Sequence, residues 1–460
     1  MNLERFREAL APVETVDFAP VEVRELAHDA RAVAPGSLFF CVPGSRADGH
    51  DFAPRAVAGG AVALVVERPL PLEVPQLVVH DVRAAMGPAA VLFFADPSRE
   101  LPVAGITGTS GKTTTSYLLR AILEADGRRP GLLGSIERIV GGDRRPASLN
   151  TPEAIDLQRL LREMLDAGNG SCVLEATSIA SAKGRLDGIR FAALVFTNLS
   201  QDHLDFHGTL DAYFEAKRRL FDRADRAAVN AGDEWGRRLA RELPHDVLTF
   251  GAGGEVGPEA LAGIDLKLRG GFNVENALAA VAAARLLGVG DDAIAAGLEA
   301  VEGVPGRFEP VDEGQPFAVI VDYAHKPGAL ENVLRSARGL ARGRLVCVFG
   351  CGGDRDRGKR PQMGRIAAEL SDRAILTSDN PRSEDPLAIL EEVLAGAPQL
   401  EVEPDRRAAI ELALAGAGEG DVVVIAGKGH EQGQEVAGVL HPFDDREVAR
   451  ETLRRLGARA

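Results

Sequence analysis

The chain has 460 residues, which exceeds the size of a single hydrophobic core and suggests about three domains. Hydrophobic residues make up 45% and charged residues 26%, as in ordinary globular proteins, and the net charge of −15 argues against a general nucleic-acid or anionic-membrane surface. No segment has the apolar length of a membrane span, the N-terminus is too charged for a signal peptide, and four cysteines in mostly apolar runs indicate reduced core thiols, so we expect a cytoplasmic protein.

The chain divides into three stretches. Residues 1–98 contain short apolar runs suited to strands and end at the turn-like Asp96-Pro97-Ser98. Residues 99–313 alternate strand and helix patterns, which implies a largely parallel sheet, and a break near Glu313-Gly314-Gln315-Pro316 opens residues 314–460. The strand candidates are 38–42, 61–66, 101–106, 172–174, 192–196, 227–229, 318–321, 345–349, 374–376 and 422–425. We predict an α/β protein of three domains, with helix 407–415 as solvated scaffolding.

A loop rich in glycine and hydroxyl groups separates strand candidate 101–106 from helix candidate 116–124. Its residues are Gly108, Thr109, Ser110, Gly111, Lys112, Thr113 and Thr114. Such glycines let backbone N–H groups surround an anion, while Lys112 can reach the outer phosphates and Thr113 can bind Mg²⁺. The strict P-loop spacing requires glycine where this chain has Ile106, so a plain turn with a surface lysine is the alternative. We predict that the loop binds a nucleoside triphosphate.

Polar residues also follow the next two strand candidates. Glu175 ends one of them, where an acid can bind the Mg²⁺ of a nucleotide. The segment TNLSQDHLDFHG (197–208) contains His203 and His207 at a spacing that suits a zinc pair, but no third ligand is evident and a capped polar loop is an equal alternative. Lys217 lies ten residues after His207 and is by default a surface lysine.

Dense polar loops recur at the strand ends of the third stretch. They are DYAHKPGAL (322–330), GCGGDRDRGKRP (350–361), TSDNPRSEDP (377–386) and AGKGHEQGQE (426–435). Loops at the carboxyl ends of one parallel sheet meet in one crevice. Arg355 and Arg382 would suit carboxylates there, because guanidinium binds them bidentately. From the residues alone we infer an ATP-using enzyme whose third domain binds a small anionic substrate.

In this order the motifs resemble the Mur ligases of peptidoglycan synthesis. The resemblance covers essentially the whole chain and rests on GTSGKTT, TNLSQDHLDFHG with YFEAKRRLF, DYAHKPGAL, GCGGDRDRGKRP, DNPR and GKGHE, together with DAR (29–31) and PGSRADGHDF (43–52). It implies a UDP-binding first domain, a central P-loop ATPase domain and a Rossmann-like third domain that binds an amino acid. The implied reaction uses ATP and Mg²⁺ to add meso-diaminopimelate to UDP-N-acetylmuramoyl-L-alanyl-D-glutamate through an acyl phosphate. It implies a monomer with small-molecule substrates and neither a nucleic-acid nor a membrane partner.

The resemblance assigns roles residue by residue. For ATP it implies Gly108 to Thr114, Asn276, Arg307 and Asp322. For Mg²⁺ it implies Thr113, Glu175 and His203. For the UDP-sugar-peptide it implies Asn150, Thr151, Thr177, Lys183 and Arg185. For diaminopimelate it implies Arg355, Asp379, Asn380, Pro381, Arg382, Gly427 and Glu431. It implies catalytic roles for Lys112, Lys217 and His203, with Lys217 carbamylated to N6-carboxylysine, which places an anion beside the metals.

Four positions depart from the family pattern, and all of them lie in the UDP-substrate site. They are Ala30, Asn150, Ile179 and Lys183, where the family usually has serine, threonine, histidine and glutamine. Three alternatives stay open: the same reaction with L-lysine or another diamino acid, a folylpolyglutamate-synthase-like ligase, and a non-catalytic nucleotide-binding regulator. Asp379-Asn380-Pro381-Arg382 favours diaminopimelate over lysine, because a rigid guanidinium suits a distal carboxylate and repels a lone distal ammonium.

Overall fold

A computed structural model describes residues 1–44, 47–147, 149–244 and 246–457. Ser45 and Arg46 of the motif PGSRADGHDF lie outside the described residues. The backbone forms three α/β units in chain order, built on sheets of five, eight and six strands. The predicted fold class is therefore confirmed, while the boundaries at residues 98 and 313 stay a prediction.

The described residues of the first unit form three α-helices and five strands. They are α1 (Leu3–Leu10), β1 (Glu14–Val16), β2 (Glu25–Ala27), β3 (Ser37–Phe40), α2 (Ala53–Ala58), β4 (Ala61–Val66), β5 (Gln76–Val78) and α3 (Val82–Phe94), with short 3-10 helices at Gly49–Phe52 and Pro97–Arg99. The strand order is β1-β5-β4-β3-β2, and only β1 runs antiparallel to its neighbour.

The second unit carries the nucleotide-type loop. Its elements are β6 (Val103–Thr107), α4 (Lys112–Ala125), β7 (Pro130–Leu133), β8 (Glu137–Val140), β9 (Asp143–Pro146), α5 (Ala154–Asp166), β10 (Ser171–Glu175), α6 (Ser178–Ala182), β11 (Ala193–Phe196), α7 (Leu204–His207), α8 (Leu210–Arg218), β12 (Ala227–Asn230), α9 (Glu234–Glu242), β13 (Val247–Phe250), α10 (Gly271–Leu286) and α11 (Asp291–Glu299), with 3-10 helices at Phe221–Arg223 and Pro258–Leu261. The order is β13-β12-β11-β6-β10-β7-β8-β9, and the first six strands are parallel.

The third unit is a second parallel sheet with an antiparallel edge. Its elements are β14 (Glu309–Pro310), β15 (Ala318–Asp322), α12 (Pro327–Arg338), β16 (Leu345–Phe349), α13 (Lys359–Leu370), β17 (Arg373–Leu376), α14 (Pro386–Leu394), β18 (Glu401–Val402), α15 (Arg406–Ala415), β19 (Val422–Ala426), β20 (Gly433–Val436), β21 (Val439–Pro442) and α16 (Asp445–Gly457). The order is β14-β15-β19-β16-β17-β18, while β20 and β21 form a separate hairpin. β14 pairs with β15 and so joins this sheet.

The central strands of the second and third sheets coincide with apolar runs of the sequence. All five residues of β6, β10, β16 and β19 are buried, as expected for parallel strands covered by helices on both faces. Helix α4 packs on strands β6, β7 and β10 of the second sheet and beside the alanine-rich helix α10, which packs on β11, β12 and β13 of the same sheet. The loop between β6 and α4 is thereby fixed at the carboxyl edge of the sheet, next to the ends of β10 and β11.

The first unit shares part of its core with the second. Ala154 and Ile155 of α5 pack in the core of the first unit, beneath α3. Polar contacts surround this junction: Arg83 pairs with Glu153 at 3.2 Å, and His28 with Asp156 at 2.9 Å. A helix that follows residue 98 therefore completes the first unit.

The structure confirms the strand candidates and corrects one helix. Strands occupy all ten candidate runs, with end shifts of one or two residues. The four cysteines are free and buried, as expected. Helix α15 is not solvated scaffolding, because Ile410 and Leu414 are buried and the Arg406 side chain is wholly buried in an ion pair with Asp445. Within the described ranges, no helix combines the length and the apolar character that crossing a membrane requires.

Candidate active site

One cleft of about 740 Å³ lies between the second and third sheets. The loop after β6 and the segments after β10 and β11 line one side, and the loops after β15, β16, β17 and β19 line the other. The predicted site residues that line it are Thr109, Ser110, Gly111, Lys112, Thr113, Thr114, Asn150, Glu175, Thr177, His203, Lys217, Asn276, Arg307, Asp322, Arg355, Asp379, Asn380, Arg382, Gly427 and Glu431. Five others do not line it: Gly108, Thr151, Lys183, Arg185 and Pro381.

Two glycines give the loop after β6 its shape. Gly108 has a φ of +145°, and a Cβ there would lie 1.9 Å from Thr197 Oγ1. Gly111 has a φ of +86°, and its Cβ would lie 2.2 Å from Asn276 Oδ1. Side chains at these positions would therefore both strain the backbone and collide with neighbours. The result is a tight loop after which the helix begins at Lys112, and the first N–H groups of that helix are suited to a phosphate.

Lys112 lies over this loop. Its ammonium donates to the carbonyl oxygens of Gly108 at 2.9 Å and Thr109 at 3.1 Å. Burial, with the nearby positive charge of Lys326, lowers the pKa of Lys112 to about 8. A phosphate anion in the cleft would oppose that shift, since an opposite charge favours the ammonium form.

Oxygen atoms cluster at the start of α4. The Thr113 hydroxyl lies 2.9 Å from Ser135 Oγ and donates to Glu175 Oε2 at 3.2 Å. The other oxygen of Glu175 accepts from the backbone N–H of Ser135 at 2.9 Å. A carboxylate with two hydroxyls is the type of donor set that Mg²⁺ prefers, so these residues fit the expected metal. Sequence reasoning missed Ser135, which lies two residues after the end of β7. The signal that could have identified it is a polar residue that follows an apolar run.

Lys217 is buried, contrary to the default expectation for a lysine. Its side chain is 1% exposed, donates to the carbonyl of Gly108 at 2.8 Å and lies 4.5 Å from the centre of the Tyr213 ring. Burial and the nearby charge of Lys112 hold the pKa of Lys217 well below its usual value. Burial therefore favours the neutral amine, which is the nucleophilic form, over the ammonium.

Asp202 links the second and third units beside the cleft. Its carboxylate lies 2.5 Å from the ammonium of Lys326 and 3.0 Å from His203 Nε2. Burial is the largest cause that lowers the pKa of His203 to about 3, so this imidazole is neutral. His207 instead contacts Ser178 Oγ at 3.0 Å. The two histidines therefore have separate partners, and the described residues hold no cluster of three or more His, Cys, Asp or Glu side chains around a metal position.

A second set of residues joins the two sheets near the nucleotide-type loop. Arg307 donates to the Thr113 hydroxyl at 3.3 Å, and its guanidinium lies 4.3 Å from the centre of the Tyr323 ring. Asp322 accepts from the N–H groups of Phe308 and Ala324, both at 2.7 Å. Burial raises the pKa of Asp322 to about 6. These contacts hold Arg307 between the loop after β6 and Tyr323 of the third unit, with Asp322 fixed by two N–H groups nearby.

The loops after β17 and β19 are tied together at the far end of the cleft. Asn380 donates its amide N–H to Glu431 Oε2 at 2.8 Å. Arg382 donates through its guanidinium to the carbonyl of Gly353 at 2.6 Å and through its backbone N–H to the carbonyl of Glu435 at 3.0 Å. Its φ is +54°, in the left-handed region. The cleft therefore has a guanidinium and a carboxylate on adjoining loops.

The remaining residues predicted for diaminopimelate differ in their surroundings. Arg355 is exposed on the loop after β16 and donates to its neighbouring carbonyl, at Asp354. Asp379 is buried, and one of its oxygens lies 2.6 Å from where a Cβ at Gly427 would be. Pro381 is buried with its carbonyl beside Gly353. Asp379, Pro381 and Gly427 therefore shape this end of the cleft through packing.

The residues predicted for the UDP-substrate lie at the edge of the cleft. The Thr151 hydroxyl donates to the Glu175 carbonyl at 2.8 Å and lies 3.1 Å from Thr177 Oγ1. Arg185 pairs with Glu153 at 2.7 Å, while the Lys183 ammonium lies 5.7 Å from the centre of the Phe206 ring. Only Asn150 and Thr177 of this set line the cleft itself. Of the other three, Arg185 connects to the first unit, because its partner Glu153 also pairs with Arg83.

Comparisons with known proteins cover all three units. The model for the "Mur ligase family, catalytic domain" matches residues 22–100, the "Mur ligase middle domain" residues 106–284 and the "Mur ligase, glutamate ligase domain" residues 306–429. The chain is 45% identical to a UDP-N-acetylmuramoyl-L-alanyl-D-glutamate–2,6-diaminopimelate ligase from Streptomyces coelicolor, over 94% of this chain and 93% of that one.

Two further matches extend over nearly the full length. A relative of the same name from Gloeobacter violaceus is 46% identical, over 98% of this chain and 99% of its own. A solved structure titled as a UDP-N-acetylmuramoyl-L-alanyl-D-glutamate–2,6-diaminopimelate ligase is 33% identical with a TM-score of 0.65, and the likeness covers 98% of this chain and 99% of that one. With three matching domain models and near-complete relatives at this identity, the chain belongs to the Mur ligase family.

Proposed function

We propose that this protein uses ATP to add meso-diaminopimelate to UDP-N-acetylmuramoyl-L-alanyl-D-glutamate, as a cytoplasmic step of peptidoglycan synthesis. The observation that carries the proposal is the cleft of about 740 Å³ in which the loop after β6 faces Arg382 and Glu431 of the third unit. The names of the near-complete relatives agree with it. Arg382 suits the distal carboxylate of diaminopimelate and Glu431 its distal ammonium, so the site matches both charges.

The reaction would proceed in two stages. The γ-carboxylate of the D-glutamyl group attacks the γ-phosphate of ATP, which forms an acyl phosphate and releases ADP. The amino group of diaminopimelate then attacks the acyl carbon, and a tetrahedral intermediate collapses to the amide and inorganic phosphate. Lys112 and Arg307 neutralise the charge that develops on the phosphoryl oxygens, a role that fixed cations perform well in a cleft with little water.

The chain's own residues also suit the proposed Mg²⁺. Thr113 and Glu175 would hold the ion, and Ser135 keeps the carboxylate oriented through its N–H. The metal, when bound, supplies positive charge to the phosphate oxygens. His203 lines the same cleft, and its imidazole is neutral because burial lowers its pKa to about 3. We propose these residues as the metal site.

The three alternatives predict different dependences on substrate. A steady-state assay of phosphate release would omit each of ATP, the UDP-dipeptide and diaminopimelate in turn, and mass spectrometry would identify the product. We expect release only with all three, a product heavier by one diaminopimelate residue, and poor turnover of L-lysine. Comparable kcat/KM for lysine and diaminopimelate would refute the choice of amino acid. Turnover of a folate substrate would favour the folylpolyglutamate-synthase-like alternative, and no turnover with any acceptor would favour the regulator.

A further inference from the structure

A buried lysine, Lys428, lies beneath the end of the cleft formed by Asn380, Arg382 and Glu431, and does not line the cleft itself. Lys428 lies in the loop after β19, between Gly427 and Gly429, which both have positive φ. Its side chain is 0% exposed. The ammonium donates to Asn380 Oδ1 at 2.9 Å and to Glu431 Oε2 at 3.4 Å. It therefore contacts two of the residues proposed to bind diaminopimelate.

Lys428 fixes which way the Asn380 amide points. The oxygen of this amide accepts from Lys428 Nζ and also from the backbone N–H of Glu435, at 3.0 Å. Because both neighbours are donors, the reversed amide would place N–H groups against N–H groups. The observed orientation leaves the amide N–H groups on the Glu431 side, where one of them donates at 2.8 Å. Asn380 is 7% exposed, so solvent offers little substitute for these partners.

The same ammonium restrains Glu431. The Glu431 side chain is 32% exposed at the cleft, and its Oε2 accepts from both Lys428 and Asn380. A carboxylate held by a cation has part of its charge already compensated. It would then bind an incoming ammonium well only where that ammonium arrives with a carboxylate for Arg382. L-lysine brings the ammonium alone.

We propose that Lys428 is a positioning residue that orients Asn380 and restrains Glu431, and that it thereby sets the preference for diaminopimelate over lysine. The inference rests on the proposed function and adds to it a residue that acts from beneath the site. When one member of a buried ion pair is removed, the other is left as an uncompensated charge, which is energetically costly. Without Lys428, the Asn380 oxygen keeps only the Glu435 N–H as a donor, so the amide orientation is held less firmly. The Glu431 carboxylate also loses its compensating cation and can pair with a lone ammonium.

The test compares three variants by steady-state kinetics. Lys428→Met removes the donor while keeping similar apolar bulk, and Lys428→Gln keeps a neutral donor for Asn380. Lys267→Met is the matched control, since Lys267 is a surface lysine paired with Asp265 and its side chain is 44% exposed. For Lys428→Met we expect the KM for diaminopimelate to rise at least about tenfold, because a lost hydrogen bond to a charged group typically costs that much. The KM for ATP should change less than about twofold, since the ATP loop lies at the other end of the cleft.

The selectivity for diaminopimelate over L-lysine distinguishes a positioning role of Lys428 from a general loss of structure or activity. We expect the diaminopimelate-over-lysine ratio of kcat/KM to fall about tenfold in Lys428→Met and to recover in part in Lys428→Gln, with Lys267→Met like the wild type. Thermal unfolding with and without ATP verifies that each variant is folded. If Lys428→Met is unfolded, the selectivity of Lys428→Gln is compared with that of the wild type instead, and an unchanged value would overturn the inference. Unchanged selectivity, or equal rises in both KM values, would overturn the inference. A wild type that does not use diaminopimelate would instead refute the proposed function, so the two failures are distinguishable.

Discussion

The buried amine of Lys217 leads to a prediction about covalent modification. A neutral amine attacks the carbon of CO₂, loses a proton to water and becomes a carbamate, which replaces a potential cation with an anion. An exposed lysine is neutral in roughly one molecule in 2,500 at pH 7. Burial holds the pKa of Lys217 well below its usual value, so the neutral form is more populated there than in an exposed lysine. Lys112 and Lys326 lie close enough to stabilise the resulting anion.

Replacing Lys217 by alanine should therefore abolish most activity without unfolding the chain. We expect kcat to fall by at least ~10², the usual loss when one preorganised charged group is removed from a reacting centre. Formate, acetate or propionate in the buffer should restore part of it, since a small carboxylate can enter the space. Lys217→Glu should be rescued less well, because its side chain is shorter than a carbamylated lysine.

Two measurements check this prediction. Phosphate release gives the activity and its rescue, with the surface variant Lys267→Ala as the control for loss of a lysine. Carbon-13 NMR of protein in labelled bicarbonate should show a carbamate signal in the wild type that is absent from Lys217→Ala. An active wild type without that signal, or a fully active Lys217→Ala, would refute the reasoning.

Three further predictions concern the same cleft. Lys112→Ala should lower kcat by ~10² to 10³ or more in a protein with an unchanged circular dichroism spectrum, since it removes a charge from the phosphoryl group; near-normal phosphate release would contradict the ATP-loop assignment. Arg382→Ala should raise the KM for diaminopimelate at least about tenfold and leave the KM for ATP nearly unchanged, whereas a surface salt-bridge role predicts no change in either. Burial raises the pKa of Asp322 from 3.8 to about 6, so the folded state keeps a proton that the unfolded chain releases. The free energy of unfolding should therefore fall as pH rises through that interval, by an amount on the order of 3 kcal/mol from this group, and urea denaturation of Asp322→Asn should show a weaker pH dependence.

Much of the fold follows from local patterns in the sequence. The fully buried strands are apolar runs bounded by polar loops, and the rule that parallel strands end at one edge places those loops together. The helix after the ATP loop begins at Lys112, four residues before the predicted start, because the helix includes hydroxyl residues that carry no apolar period. Periodicity therefore located this helix better than it located its N-terminus.

Contacts between residues that are distant in the chain could not be predicted from the sequence. Arg406 reads as one of many arginines on a helix, and only the fold shows that Asp445 compensates its charge at 2.7 Å in the interior. No local sequence pattern indicates that Lys217 and Lys428 are buried, because their burial depends on which loops of the fold cover them. Asp202 and Lys326 meet across two units, a pairing that no local pattern contains.

Helix α5 has a consequence for how the protein unfolds. Ala154 and Ile155 complete the core beneath α3, while Leu157, Leu161 and Met164 of the same helix pack in the core of the central sheet. Helix α5 thus contributes to the hydrophobic cores of both units. Separating the two units at this helix would expose apolar side chains to water. The first two units should therefore denature together in a single transition, and a fragment that ends at residue 98 should not fold by itself.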